Sequence, residues 1–515
     1  MSQGLYFVGI DSGTQGTKAL IIDENGRVIG RGYEPHRFVP RLKPGESEQD
    51  PGTWIIALNK SLKMALREAN KKKFFKPQEI VALGISGQQH GFVPLDRKGQ
   101  VIRPAKLWND TSTAEETDDI IEAVGGKKKY IQLAGLNLAV GYTASKILWL
   151  KRHEPRNYCR LQTVLLPHNY LNFYLTGRKC MEYGDASGTG LMDVRKLKWQ
   201  EEIIKVIDPE LMAKLPPLLH PVEPVGYIKK NLARLFDFGK VLVASGGGDN
   251  MMAAIGTGNV IPGTFTLSLG TSGTIYTYAS KPVVDYYGEI ATFCDSTGAW
   301  LPLLCTMNVT NVTELARKVF NYSLEKMENE ARKAPAGAGG LIFLPFIAGE
   351  RVPILPLASG VIFGLNRNTF NQSFILRSIY EGVILNLGYG LDRMKVLYPY
   401  PQEFRVTGGG SRSRLWLEIA ASVFQAPLRR LKETEAAAYG AALQAMWNYF
   451  HQKGENISIQ EITKEFIQLE ETIEPSPRLI PLYQELQTRF NSLWKTLRSE
   501  FESQHRFLAQ KFYSS

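Results

Sequence analysis

Residues 7–17 read FVGIDSGTQGT, and residues 265–274 read FTLSLGTSGT. Each is an apolar strand pattern that runs into a turn of Gly, Ser and Thr, the composition of a hairpin. One difference matters chemically: Asp11 stands three residues before Thr14, and Ser268 takes the matching place in the second copy. The backbone N–H groups of such turns form a concave anion site, and Thr hydroxyls add donors. A pair of them suggests a polyphosphate held between two similar domains. A carboxylate beside such a turn repels phosphate unless a cation lies between them, and Mg2+, which prefers oxygen ligands and keeps waters, suits that place. Asp11 is therefore read as the metal-holding residue, and Gly270 and Thr271, with Ser272 and Gly273, as nucleotide contacts. Taken alone, either turn is also readable as a plain hairpin with local Ser/Thr hydrogen bonds.

The duplication extends outward from the hairpins. After the first turn the chain returns as KALIIDENGRVIG, a meander, and after the second as IYTYAS. EIVALGISGQQHG at 79–91 is a strand ending in a glycine-containing turn, and EFRVTGGGSRS at 403–413 is its counterpart. KVLVASGGGDNMMAAIGTG at 240–258 runs strand, glycine turn, small-residue helix, and APLRRLKETEAAAYGAAL at 426–443 answers it. Setting Gly256 against Gly440 aligns Ala253-Ala254 with Ala437-Ala438 and puts Asp249 opposite Glu433. Strand-like runs alternate with helical stretches throughout, so the fold class is α/β. The expectation is two tandem domains, residues 1–260 and 261–515, with the boundary in GNVIPG at 258–263. Leu482, Leu486, Phe490, Leu493, Leu497 and Phe501 recur at helical spacing, which predicts a closing amphipathic helix packed against a domain.

Composition is in keeping with this. The chain has 515 residues, too many for one ordinary core, with 44% apolar and 22% charged residues, as in soluble globular proteins. No apolar run approaches the roughly 18 residues of a membrane-spanning helix. The N-terminus, MSQGLYFVGID, has no basic region ahead of a separate apolar stretch, and is read as lacking a signal peptide. Cys159, Cys180, Cys294 and Cys305 form no CxxC pair, which favours free thiols and the cytoplasm. The net charge of +11 raises the question of nucleic acid. Its basic residues are scattered, however, and KKK at 71–73 and at 127–129 read as solvated loop or helix ends. An anionic small substrate accounts for the charge equally well, and neither nucleic acid nor membrane is expected as a partner.

Four further stretches carry chemistry. In VLVASGGGDN, Asp249 lies past the C-terminal end of a strand at a helix start, where ligands gather in parallel sheets and where a carboxylate is kept ionised. Asp249 is readable there as a proton acceptor or as an N-cap. In VTGGGSRS, Gly408, Gly409 and Gly410 make a strand-to-helix turn or admit an adenine ring. SGQQHG at 86–91 ends a strand with Gln88, Gln89 and His90 in a row, and LWND at 107–110 sets Trp108 beside an amide and a carboxylate. Stacking plus hydroxyl hydrogen bonds is sugar-pocket chemistry, although a single His is also a common satisfied core residue. The chain contains no HExxH, no Walker-type GxxxxGK[ST] and no GxSxG in a convincing setting.

These residues together resemble the FGGY carbohydrate kinase family, whose members have an actin-like, ribonuclease-H-like ATPase fold. GYTASKILWLKRH at 141–153 meets one family signature, with Lys146 and Trp149 at the expected places. SGVIFGLNRNTFNQSFILRSIYEG at 359–382 meets the second, except that Phe374 stands where a polar residue is usual. IDSGT, SEQDP, SGQQHG, LWND, GGGDN, SLGTSG, FLPFIAGER and VTGGGSRS follow in family order, and VPILPLASG after Arg351 lacks the polar residues common there. The resemblance implies two tandem actin-like ATPase domains with an interdomain cleft, a sugar and magnesium side first and a nucleotide side second. It implies ATP and Mg2+, with Asp249 as general base and Asp11 as the magnesium-associated aspartate. Gln89, His90, Asn250 and Trp108 fall on sugar positions. Thr14, Gln15, Gly270, Thr271, Gly409, Gly410 and Ser413 fall on nucleotide positions. LWND favours a five-carbon ketose, and the expected substrate is D-xylulose, with ribulose, sedoheptulose, gluconate and glycerol as the alternatives. An actin-like switch ATPase is the reading from another class, and it gives SGQQHG and LWND no task. The resemblance leaves room for a homodimer without requiring one.

Overall fold

The computed structural model describes residues 4–72 and 74–511; Lys73, the last of the first lysine run, lies outside the described residues. The chain divides into two compact units. One joins the chain up to Ile261 with Tyr278–Pro302 and Glu435–Ile467. The other joins Pro262–Thr277 and Leu303–Thr434 with the chain from Gln468 onward.

The described residues form two mixed sheets of seven strands each. In the first, strand Tyr6–Ser12 pairs antiparallel with Gly16–Asp23, which pairs antiparallel with Val28–Pro35. On its other side Tyr6–Ser12 runs parallel to Ile80–Gly87, and that strand runs parallel to Leu242–Val243 and Gly247–Gly248. In the second, Thr264–Leu269 pairs antiparallel with Gly273–Thr277, then Trp300–Thr306. On its other side it runs parallel to Glu403–Thr407, which runs parallel to Leu428–Leu431. The repeat seen in the sequence is thus a repeat of ladder type and order. In the second copy residues 278–299 separate the second and third strands of the meander.

Alternation sets the layers of the first unit. Val8 and Ile10 lie in one apolar cluster with Trp54, Leu58 and Leu62 of helix Pro51–Ala69. Phe7 lies in another with Ala438, Ala441, Ala442 and Ala445 of helix Ala436–Gln452. The second helix sits unusually close: a Cβ on Gly9 would lie 1.9 Å from the Ala438 carbonyl oxygen, and one on Gly84 would lie 2.2 Å from that of Ala441. The small residues of AAAYGAAL and the strand glycines therefore form one close-approach surface.

In the second unit the closing helix is Ile480–Lys511. Leu486, Phe490 and Phe501 of the apolar stripe are buried, while Leu482, Leu493 and Leu497 are half-buried. Tyr483, Gln487 and Trp494 are buried as well, although the spacing did not mark them. Phe346 meets Phe490 and Phe501 edge-on, and Arg377 Nη2 and the Glu381 carboxylate both bond the Tyr483 hydroxyl. Phe374 is half-buried against Gly339, so an apolar ring has a packing role at that departure from the family signature. Lys127, Lys128 and Lys129 open helix Lys127–Ala134 and are exposed. All four cysteines are free, and among the described residues no helix is long and apolar enough to cross a membrane.

Candidate active site

Three parallel strands of the first unit end side by side, and a chemically distinct group stands at or just past each end. Asp11 and Ser86 are register partners on adjacent strands, and the Ser86 hydroxyl donates to Asp11 Oδ1 at 2.8 Å. Gln88, Gln89 and His90 follow strand Ile80–Gly87 directly. Gly247 and Gly248 pair with Ser86 and Gly87, and Asp249 then opens helix Asp249–Thr257. The C-terminal ends of parallel strands are where α/β sheets bind ligands, since loops diverge there and leave backbone and side chains accessible.

Asp249 is the first helical residue, and Gly248 holds the cap position without a side-chain capping bond. Asp249 Oδ1 accepts from the Asn250 amide at 2.8 Å and from Asn250 Nδ2 at 3.1 Å. Burial, then the nearby Asp11 and Asp185 carboxylates, push the Asp249 carboxyl up to about 7, against the pull of the Asn250 amide. Burial also raises Asp11, while the Ser86 hydroxyl bond and Lys18 pull it down. Lys18, the register partner of Asp11 across the hairpin, is ion-paired to Glu435. Two carboxylates, Asp11 raising the proton affinity of Asp249 and itself bonded by Ser86, are a donor set suited to a divalent cation. Among the described residues no group of three or more His, Cys, Asp or Glu could hold a metal.

The polar row beside Asp249 is fixed from several directions. Gln89 Oε1 accepts from Asn250 Nδ2 at 2.7 Å, and Gln89 Nε2 is a buried donor with no partner among the described residues. His90 is half-buried, with a left-handed backbone (φ 60°) and its ring stacked on Tyr142 at 4.4 Å. Its Nδ1 lies 2.8 Å from the Gly188 carbonyl oxygen, which makes Nδ1 the donor and Nε2 the acceptor in the neutral ring. Lys146, fully buried, donates from Nζ to the carbonyls of His90 at 2.7 Å and Gly141 at 2.6 Å, which holds the strained His90 peptide in place. Burial presses the Lys146 ammonium well below its ordinary range, against the attraction of Asp110.

Thr14 belongs to this same network. Its hydroxyl accepts from Trp108 Nε1 at 3.0 Å and donates to Gln88 Oε1 at 3.2 Å. Gln49 ties the pieces together: it donates to the Thr14 carbonyl at 2.7 Å and accepts from Gln88 Nε2 at 3.0 Å and Trp54 Nε1 at 2.9 Å. Gln15 is exposed at the hairpin tip. In LWND, Asp110 is buried and accepts from the Ser47 amide and Lys106 Nζ, while Trp108 is half-buried. Trp149 of the first family signature lies 4.0 Å from Lys106 Nζ, a cation–π contact that supports Lys106.

In the second unit the hairpin tip is pinned from below. The Gly270 and Thr271 carbonyls accept from the Thr310 and Val309 amides at 3.1 and 3.2 Å. Of the glycine triplet, Gly408 has φ 85° and Gly410 is buried against Leu269 and Trp416, whereas Gly409 is exposed. Ser413 caps helix Arg414–Phe424 by accepting from the Trp416 amide, and its hydroxyl donates to Glu328 at 2.7 Å.

Sequence reasoning gave no role to Gln49 or to the buried pair of Asp185 and His168, whose Nδ1 lies 2.7 Å from Asp185 Oδ2. SEQDP and the Lys146 signature were visible as motifs, but nothing in their spacing says that they wire a hairpin or clamp a peptide. Asp185 and His168 are 17 positions apart, so only the fold makes them a pair.

The fold is that of a sugar kinase. The chain matches the models of the N-terminal domain of the FGGY family of carbohydrate kinases over residues 6–256 and of its C-terminal domain over residues 265–449. It belongs to that family. It is 42% identical over 477 residues to a xylulose kinase of Haemophilus influenzae, covering 92% of this chain and 96% of the relative. It is 36% identical over 448 residues to one of Streptomyces rubiginosus, covering 86% and 88%. Among solved structures, a xyloylose kinase from Brucella ovis matches with a TM-score of 0.89 at 29% identity, covering 96% of this chain and 99% of that one.

Proposed function

We propose that the chain transfers the γ-phosphoryl group of ATP to D-xylulose, giving D-xylulose 5-phosphate and ADP. The observation that carries the mechanism is Asp249: a carboxylate at a strand end, beside Asp11, with its proton affinity lifted to about 7. A proton acceptor works best near the operating pH, and burial and like charge are the means of bringing a carboxylate there. Asp249 takes the proton of the sugar hydroxyl, whose oxygen forms the new bond to phosphorus as the bond to the ADP oxygen breaks. Gln89, His90, Asn250 and Trp108 bind the sugar hydroxyls, the unpartnered Gln89 Nε2 supplying one donor. Asp11 would hold Mg2+, which neutralises phosphate charge when bound. Gly270, Thr271 and Gly409 contact the nucleotide. In this reading Thr14 acts through Trp108 and Gln88, and Gly410 and Ser413 act by shaping the turn beneath the nucleotide, since their own contacts are with protein. The free thiols favour the cytoplasm.

The substrate assignment is supported by relatives at 42% and 36% identity over most of the chain. A coupled ADP-release panel over xylulose, ribulose, sedoheptulose, gluconate and glycerol tests it. The reading expects the largest kcat/KM for xylulose. A larger value for another acceptor overturns the sugar, and release independent of any acceptor overturns the kinase reading in favour of a switch ATPase.

A further inference from the structure

The loop that follows FLPFIA in the second unit is folded to present one cation. Glu350 and Leu355 exchange backbone hydrogen bonds of 2.8 and 3.0 Å and close a tight loop that begins with Arg351. The Glu350 carboxylate is buried and fully engaged as the frame of that loop. Its Oε1 accepts from the Met307 and Arg351 amides at 2.7 and 2.8 Å, and its Oε2 from Asn308 and Asn386 Nδ2 at 3.0 Å each. Glu350 thus fixes the backbone at Arg351 and makes no ion pair with its guanidinium.

The guanidinium of Arg351 is half-buried and has no carboxylate within ion-pair distance among the described residues. Arg332, Arg377, Arg405 and Arg414 of the same unit are all paired with glutamates. Arg351 Nη1 lies instead 4.0 Å from Cys305 Sγ. Cys305 stands opposite Thr274 on the neighbouring strand, and its thiol also interacts with the Ser272 hydroxyl. One sulfur atom therefore separates the guanidinium from the tip of the GTSGT hairpin. At that tip the carbonyls of Gly270, Thr271 and Ser272 are taken by backbone amides, whereas the Thr271 and Ser272 amides have no acceptor among the described residues.

We infer that Arg351 is a phosphate-binding residue of the second unit, taking the terminal phosphoryl oxygens of the nucleotide whose inner phosphates lie on the Thr271 and Ser272 amides. A half-buried guanidinium without a counter-ion is costly unless an anion completes it, and the planar fork of Arg suits phosphate. The inference rests on the reading of the GTSGT hairpin as a nucleotide contact, and it assigns which residue tells ATP from ADP.

Calorimetric titration of the full chain, in Mg2+, with ADP and with a non-hydrolysable ATP analogue separates the two. Arg351→Gln is expected to weaken the ATP analogue about tenfold or more, as loss of a charge-assisted pair does, and ADP by less than about threefold. Arg351→Lys, which keeps the charge and loses the fork, should fall between, and it carries the comparison if the glutamine variant does not fold. An unchanged affinity of folded variant for the analogue, or equal losses for both nucleotides, overturns the assignment. A wild-type chain that binds neither nucleotide contradicts the hairpin reading beneath it.

Discussion

Gly256 and Gly440 pack against each other where helices Asp249–Thr257 and Ala436–Gln452 cross. A Cβ on Gly440 would lie 1.8 Å from the Met252 carbonyl oxygen, and one on Gly256 would lie 1.9 Å from that of Ala436. Residues that match as repeats in the sequence are therefore neighbours in space within the first unit. The crossing sets the course of the helix that Asp249 begins.

Gly440→Ala opposes two effects. Alanine favours a helix interior over glycine by about 1 kcal/mol, but overpacking a close contact costs roughly 1–3 kcal/mol, and a Cβ meeting backbone has no flexible neighbour to displace. Net destabilisation of at least about 1 kcal/mol in urea unfolding is expected. A more stable variant would show that the helices separate easily.

Asp11→Asn should raise the Mg2+ concentration needed for half-maximal activity about tenfold or more, with the melting temperature near that of the wild type, since Asn still accepts from Ser86. Unchanged Mg2+ dependence removes Asp11 from the metal's surroundings.

His90→Ala loses a ring acceptor on the sugar side. The KM for xylulose should rise about fivefold, which corresponds to about 1 kcal/mol, while the KM for ATP stays put. A normal sugar KM with a lowered melting temperature would make His90 a packing residue only.

The pH dependence of stability has a definite sign. Asp249 titrates at about 7 in the folded chain against 3.8 ordinarily, so between those values the folded state holds more protons than the unfolded one. Its contribution to stability is fully present below about pH 4 and is lost as pH rises through 7. Asp249→Asn is free of that loss, so in metal-free buffer its melting temperature should gain on the wild type between pH 5 and pH 8. A constant difference would place the Asp249 carboxyl in the ordinary range.

The doubled ladder was legible because period-2 apolar runs and Gly/Ser/Thr turns record strands and hairpins locally. The strand-end groups Asp11, Gln89-His90 and Asp249 were legible because a glycine turn after each strand marks a place of close approach. Whether Asp249 caps its helix was not, since that depends on one backbone position, and Gly248 holds it. Nor were Gln49, Lys146 and Glu350, whose effect comes from partners far along the chain: Gln49 reaches Gln88, Lys146 reaches His90, and Glu350 reaches Asn308. Thr14, expected at the nucleotide, is bonded to Trp108 and Gln88 because the first hairpin's turn folds over the SGQQHG strand end.

The most direct test of the account is the turnover of Asp249→Asn, measured on folded chain at saturating xylulose and Mg-ATP. The amide keeps the shape and cannot take the hydroxyl proton. The account predicts that kcat falls at least about 100-fold while binding of the ATP analogue survives. A kcat within roughly tenfold of the wild type would contradict it.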